Sequence, residues 1–289
     1  TTRLKNEPLP IRLSYAGPVL RVKGTYLYGE RQLMQAGIEL IGAGTAVSAN
    51  AEVIIAALDA LTALGIPGLS VDFNLPGLAS ILLHHTDVEE EHKHQLQQAL
   101  NKKDTAQVAA LAGESAPLLL ELLNPTGNSA KTLALFTRPE MPEEARILAD
   151  NLAKVLDTIK EAQPTVGLTI DPLEYRGFEY HTGIGFSIFS KNSAAELGRG
   201  GRYTVEAQGI KDEAVGVTLD INTLLRILPA PARKQHIYLP ANTPYKQADA
   251  LRAQGFVTVH GLEPAADPRA EAKRMKCEAV YVDGKVEKL

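Results

Sequence analysis

Nine polar residues, Arg12, Arg21, Gln35, Glu39, Glu174, Arg176, Glu179, Tyr180 and His181, stand on segments whose alternate positions are apolar. Left unpaired inside a folded chain, each such donor or acceptor costs about 1–3 kcal/mol. Something polar must therefore meet them. Either they pair with one another at a sheet surface, or they line a concave sheet face that binds a small zwitterion or a nucleotide. The pattern is clearest between Met34 and Leu40. Met34, Ala36, Ile38 and Leu40 share one face while Gln35, Gly37 and Glu39 share the other, the period of a half-buried strand. Two hydrogen-bonding side chains thus flank a glycine gap.

Other signals carry less. His84, His85, His92 and His94 lie among Asp87, Glu89, Glu90, Glu91 and Lys93, with no cysteine and no His-Glu-x-x-His spacing, so a solvated helical face is expected there rather than a metal site. Gly198-x-Gly200-Gly201 lacks the lysine of a P-loop and the strand–turn–helix setting of a dinucleotide fingerprint. The sole cysteine, Cys277, is expected on a helix without a base partner, as a structural residue rather than a nucleophile. No metal and no cofactor is expected.

The elements that would position these residues follow from periodicity and punctuation. Ile11 to Gly42 reads as two strands around a loop. Asn50 is expected to cap a helix carrying Val53, Ile54, Leu58, Leu61 and Leu64, which Gly65 and Pro67 end. Leu69 to Asn74 reads as a short strand. From about Leu78 to Pro164 the pattern is helical, with Asp104 capping a short helix that Gly113 stops and Pro142, Glu143 and Glu144 opening a long one to about Ala162. This block has the look of an insertion. Strand character returns from Thr165 to Phe189, Gly198 to Tyr203 is expected to be a glycine-rich turn, and Glu213 to Leu228 reads as a strand running into a helix. Pro229-Ala-Pro-Ala-Arg-Lys234 is a linker signal, and His236 to Leu289 reads as strand, helix, strand, helix, strand. The expected domains are thus a core over 1–229, with the helical block at about 78–164 inserted, and a small α/β piece over 236–289.

Composition bounds the rest. The 289 residues, 45% hydrophobic and 22% charged, describe a soluble globular protein of about two domains, expected in the cytoplasm. No stretch approaches the roughly 18 apolar residues of a membrane span, and Thr1 to Lys5 opens no secretory leader. One cysteine excludes an internal disulfide framework and a multi-cysteine zinc or iron–sulfur site. Lys and Arg at 30 against Asp and Glu at 34 argue against a broad nucleic-acid footprint. Because the chain opens without Met, within a recognisable segment, further residues are expected upstream.

Four segments, in order, resemble one family. Arg12-Leu-Ser-Tyr-Ala-Gly-Pro-Val-Leu-Arg21 with Arg31-Gln-Leu-Met-Gln35-Ala-Gly-Ile-Glu39-Leu-Ile-Gly42 is similar to motif 2 of class II histidyl-tRNA synthetases. Arg176-Gly-Phe-Glu-Tyr180-His181-Thr-Gly183 resembles their histidine signature, Gly200-Gly-Arg-Tyr203 their glycine-rich turn, and Ala214-Val-Gly216 the entry to motif 3. The resemblance covers about residues 3 to 228. It implies an α+β fold, an antiparallel sheet flanked by helices, with the helical block as its insertion.

The resemblance also implies where ligands sit. Gln35, Glu39, Arg176, Tyr180, His181 and Tyr203 match the surroundings of bound histidine: Arg176 offers itself to the carboxylate, and Gln35 and Glu39 accept from the ammonium and the imidazole N–H. His181 stands where the synthetases have tyrosine. The nucleotide side departs further. Arg21 and Arg31 remain as a vestigial nucleotide site, but Val22 and Lys23 follow the motif 2 arginine, Gly29 replaces another arginine, and Thr223 stands in place of the motif 3 arginine. Losing one preorganised donor costs about 10²–10³ in rate, so amino-acid activation is not expected.

A histidine pocket with an eroded ATP seat resembles the synthetase paralogues that serve ATP phosphoribosyltransferase as regulatory subunits, and the wording of Leu20-Arg-Val-Lys-Gly24 and Glu196-Leu-Gly-Arg-Gly-Gly-Arg-Tyr203 is similar to theirs. The residues from His236 onward resemble part of an anticodon-binding domain, about half its length. The implied protein is noncatalytic. Its partners are the short-form catalytic subunit, needed for the first step of histidine biosynthesis, and L-histidine as feedback effector, within a hetero-oligomer that contains a homodimer of this chain. An active synthetase-like enzyme and a module for another amino acid are the rival readings.

Overall fold

The computed structural model describes residues 7–20, 22, 31–125, 127–174, 181–207, 210–230 and 232–289. Arg21, Arg176 and Tyr180 lie outside the described residues, as do Lys23 and Gly29, and at His181 only the backbone is described. Two compact units divide the chain, Thr1–Leu228 and Pro229–Leu289.

In the first unit β1 (Ile11–Leu20) and β2 (Gln32–Ile41) pair antiparallel, with Tyr15 opposite Gly37 and Gly17 opposite Gln35. Helix α1 (Val47–Ala63) begins one turn before the expected cap. Asn50 therefore lies inside the helix, buried, and does not cap it. The reason lies in the loop before α1: the buried Arg202 guanidinium donates to the carbonyls of Gly44 and Ala46 and sets the chain's entry there. At the other end Gly65 takes the left-handed conformation, φ +77, that closes a helix.

After β3 (Leu69–Asn74) come six helices, α2 (Leu78–His84), α3 (Glu90–Lys102), α4 (Thr105–Leu111), α5 (Ala116–Leu123), α6 (Ser129–Leu135) and α7 (Glu143–Ala162). Asp104 accepts from the Gln107 N–H to cap α4, and Pro142 precedes α7, whose first turn carries Glu143 and Glu144. The block returns to β4 (Gly167–Ile170), which lies parallel to β3, as a crossover connection requires. Next come β5 (His181–Ser190), β6 (Gly198–Ala207), β7 (Ile210–Asp220) and α8 (Ile221–Ile227). The seven strands run β1-β2-β7-β6-β5-β3-β4. Every neighbouring pair but β3–β4 is antiparallel, so the sheet is mixed rather than purely antiparallel.

Gly198 to Tyr203 is not a turn but the first half of β6. The glycines serve close packing instead: a Cβ at Gly200 would collide with the Gly216 carbonyl and the Phe186 ring, and one at Gly198 would stand 2.5 Å from the Thr218 carbonyl. One face of the sheet is apolar. Leu40, Phe73, Ile184, Phe186, Ile188, Val215 and Val217 join Val53, Ile54, Leu58 and Leu61 of α1 and Leu152, Val155 and Ile159 of α7 in one core. The other face carries the polar residues, with Leu13 and Ile41 beside Glu39 among them.

The second unit is β8 (His236–Leu239), α9 (Tyr245–Ala253), β9 (Val257–His260), α10 (Pro268–Arg274), β10 (Ala279–Val282) and β11 (Lys285–Lys288), with strand order β11-β10-β8-β9. Alternation along β8 sends Ile237 and Leu239 to Ala248 and Leu251 of α9, and Tyr238 to Ala272 of α10. The helices therefore cover opposite faces. Strand β11 goes beyond the sequence reading; Asp283 and Gly284, both at positive φ, form the tight turn that brings it back antiparallel on β10. Cys277 lies past α10, not on it, buried in the turn before β10, and burial pushes its thiol pKa up.

Candidate functional site on the polar face of the sheet

Register decides which side chains share the polar face. Glu39 of β2 stands opposite Gly216 of β7, which stands opposite Gly201 of β6, which stands opposite Gly185 of β5. Three glycines in one row leave a lane, which the Glu39 carboxylate takes up over Gly216 and Asn74 Oδ1 over Gly185. The Glu39 carboxylate lies along it, and a Cβ on Gly216 would collide with that carboxylate. From β6 the Tyr203 hydroxyl donates to Glu39 Oε2 at 2.7 Å. Burial raises the Glu39 pKa, and the Tyr203 hydrogen bond offsets part of that rise.

Gln35 occupies a parallel row, with Gly17 on one side and Asp220 on the other. The row between carries Tyr15, Gly37, Thr218, Arg199, Ser187, Asp72 and Thr169, one residue from each strand. Tyr15 Oη lies 2.5 Å from Thr218 Oγ1, Arg199 Nε donates to Glu196 Oε1 at 2.6 Å, and the Thr169 hydroxyl donates to Asp72 Oδ1 at 2.7 Å. Ser187 is fully buried between Arg199 and Asp72, and among the described residues its hydroxyl has no hydrogen-bond partner.

Alternation in the sequence places Gln35 and Glu39 on one face, and Tyr203 is assigned near them by resemblance alone, on an expected turn; the structure puts Tyr203 on β6 and brings it into contact with Glu39. The backbone of His181 stands opposite Tyr203. Sequence reasoning missed Tyr15, Thr218, Arg199, Ser187 and Asp72 as members of that face. A period-two count along each strand would have flagged them, but only the register shows that they form one row.

Thr223, expected from the resemblance to replace a motif 3 arginine, is buried, and its N–H donates to Asp220 Oδ1 at 3.0 Å to start α8. The neighbouring Asn222 Oδ1 accepts from the Met34 N–H at 2.8 Å. Neutral groups thus tie α8 to β2. Arg31 is exposed just before β2, and Val22 is almost fully exposed. The histidines behave as a surface set: His85 lies 3.4 Å from Glu144, and His92 lies 3.9 Å from Glu89 and 3.8 Å from Glu91. Among the described residues no group of three or more His, Cys, Asp or Glu is placed to hold a metal ion, and no helix is long and apolar enough to cross a membrane.

Comparison with known proteins follows the same lines. A family model described as histidyl-tRNA synthetase matches residues 1–224. Histidyl-tRNA synthetase from Nostoc sp. PCC 7120 superposes with a TM-score of 0.75 at 15% identity, over 97% of this chain and 72% of that one, which establishes a class II synthetase-like α+β fold. An ATP phosphoribosyltransferase regulatory subunit of Paramagnetospirillum magneticum is 48% identical over 276 residues, 96% of this chain and 72% of the relative. The ATP phosphoribosyl transferase (HisG:HisZ) complex from Thermotoga maritima contains a chain with the same fold, at TM-score 0.61 and 18% identity over 76% of each. The chain belongs to the family of ATP phosphoribosyltransferase regulatory subunits, on a histidyl-tRNA synthetase-like scaffold.

Proposed function

We propose that this chain is the noncatalytic regulatory subunit of a short-form ATP phosphoribosyltransferase, required for full activity in the first step of histidine biosynthesis and for its feedback inhibition by histidine. The observation that carries the reading is the asymmetry of the polar face. A half-buried carboxylate held by a tyrosine hydroxyl survives on one side, Glu39 and Tyr203, while a buried threonine stands where a nucleotide-binding arginine belongs on the other. Membership in the family supports the catalytic subunit as partner.

Histidine binds on the polar face. Glu39, with Tyr203 fixing its orientation, accepts the imidazole N–H; Gln35 accepts from the ammonium group; the carboxylate is assigned to Arg176, and further contacts to Tyr180 and His181. ATP is not activated, because Arg21 and Arg31 alone leave the triphosphate without the fixed positive charge that phosphoryl chemistry needs. The protein acts in the cytoplasm as a homodimer within a hetero-oligomer, and residues 236–289 form a small α/β unit that resembles part of an anticodon-binding domain. Feedback requires two states of the assembly with different histidine affinity; a coupling of about 1–3 kcal/mol is enough.

The test is reconstitution with a short-form catalytic subunit, measuring phosphoribosyl transfer with and without histidine. Stimulation by this chain and its reversal by histidine are expected. Absence of both stimulation and co-elution rejects the reading. Histidine-dependent ATP–pyrophosphate exchange by the isolated chain would instead establish a synthetase-like enzyme.

A further inference from the structure

Tyr15 belongs to the edge strand, yet its side chain does not stay over that strand. It crosses β2 at Gly37, where an added Cβ would stand 2.5 Å from both Cζ and Oη of the ring, and its hydroxyl reaches Thr218 Oγ1 on β7 at 2.5 Å. Gly37 is thus the gap that admits the ring, and Thr218 is the anchor that fixes it. No apolar burial demands this arrangement, because Tyr15 remains 40% exposed and stands outside the hydrophobic core. What the arrangement produces is an accessible aromatic surface in the row between that of Gln35 and that of Glu39.

We infer that Tyr15 is a ligand-contacting residue, the platform on which a flat nitrogen heterocycle of the bound ligand stacks. The inference rests on the reading of this face as a histidine pocket and deepens it by naming the group that recognises the ring as a ring. Hydrogen-bond acceptors alone do not separate an imidazole from a side-chain amide, since both offer N–H donors. An aromatic face does: a flat heterocycle stacks on it in an offset arrangement, and the negative quadrupole strengthens the stack once the ring is protonated. Anchoring by Thr218 holds the platform in place before the ligand arrives, so little freedom is lost on binding. Glu39 then reads the N–H and Tyr15 reads the plane.

The experiment compares the unaltered chain with Tyr15→Leu, Tyr15→Phe and Thr218→Val, using calorimetry with L-histidine and L-glutamine and proton NMR of the bound histidine at one fixed pH. The unaltered chain is expected to bind histidine with the imidazole protons shifted upfield by the ring current of Tyr15. Tyr15→Leu should abolish that shift, weaken histidine about tenfold and narrow its margin over glutamine, with co-elution with the catalytic subunit unchanged. Tyr15→Phe should keep the shift, as the ring remains. Should the leucine variant lose cooperative unfolding, Thr218→Val carries the comparison, since it keeps the ring and frees it; a reduced upfield shift is expected. Histidine bound to Tyr15→Leu with unaltered affinity and unaltered proton shifts overturns the platform alone. Failure of the unaltered chain to bind histidine overturns the pocket, and the platform with it.

Discussion

The Tyr203 hydroxyl donates to Glu39 Oε2 at 2.7 Å, joining β6 to β2 across the intervening β7. The bond exists because β7 carries Gly216 where the two side chains pass, with no Cβ to hold them apart. Three strands thus meet through one carboxylate, and the same contact keeps that carboxylate aimed along the open face.

Replacing Gly216 tests this directly. In Gly216→Ala the methyl group meets the movable Glu39 carboxylate, which swings away, whereas in Gly200→Ala it meets the Gly216 carbonyl and the Phe186 ring, which are fixed by the sheet and the core. Overpacking of that kind costs about 1–3 kcal/mol. Thermal or urea unfolding should therefore show the larger loss for Gly200→Ala, and histidine titration the larger loss for Gly216→Ala. The opposite ranking in both measurements would refute the lane.

Glu39 also makes stability depend on pH. Burial raises its pKa in the folded chain above the unfolded value, so between those two values the folded state binds more protons than the unfolded one. Stability then falls as pH rises through the window that begins at the ordinary carboxylate value and ends at the raised one. Glu39→Gln carries no such proton. Unfolding free energies measured across that window should decline less for Glu39→Gln than for the unaltered chain, and parallel curves would show that Glu39 does not contribute.

Arg202 is a structural cation on the core side of β6. It donates to the carbonyls of Gly44 and Ala46 and lies 4.0 Å from Glu213. Arg202→Met keeps much of the length and removes both hydrogen bonds, each worth about 1.5–3 kcal/mol when a charged donor is involved. It also relieves the desolvation of a buried guanidinium, which offsets part of that loss. A net loss of about 2 kcal/mol in urea unfolding is expected, with faster amide exchange at the start of α1 as the local signature.

Cys277 is the sole cysteine, buried, with its thiol pKa raised by burial. Alkylation by iodoacetamide near neutral pH should be slow in the native protein and fast after denaturation. Rapid native labelling would place the residue at the surface.

Much of the scaffold was legible because its signals are local. Asp104 caps α4 through the Gln107 N–H, Pro142 and two glutamates open α7, and Gly65 closes α1, each a matter of a few adjacent residues. The misreadings have tertiary causes. Asn50 is a good cap by type, but the Arg202 anchor starts α1 earlier, and Gly198 to Gly201 reads as a turn by composition while close strand packing makes it β6.

By itself the sequence determined the alternation that puts Gln35 and Glu39 on one face of a strand, the helical block between two strands, and the neutral Thr223, because periodicity and residue type are properties of the chain alone. Only the tertiary structure decided that Tyr203 meets Glu39, that Tyr15 crosses to Thr218, and that one polar row runs from Tyr15 to Thr169. These depend on strand order and register. A slip of one residue in any pairing would send the same side chains to the opposite face, and that choice is made by the whole sheet packing against α1 and α7.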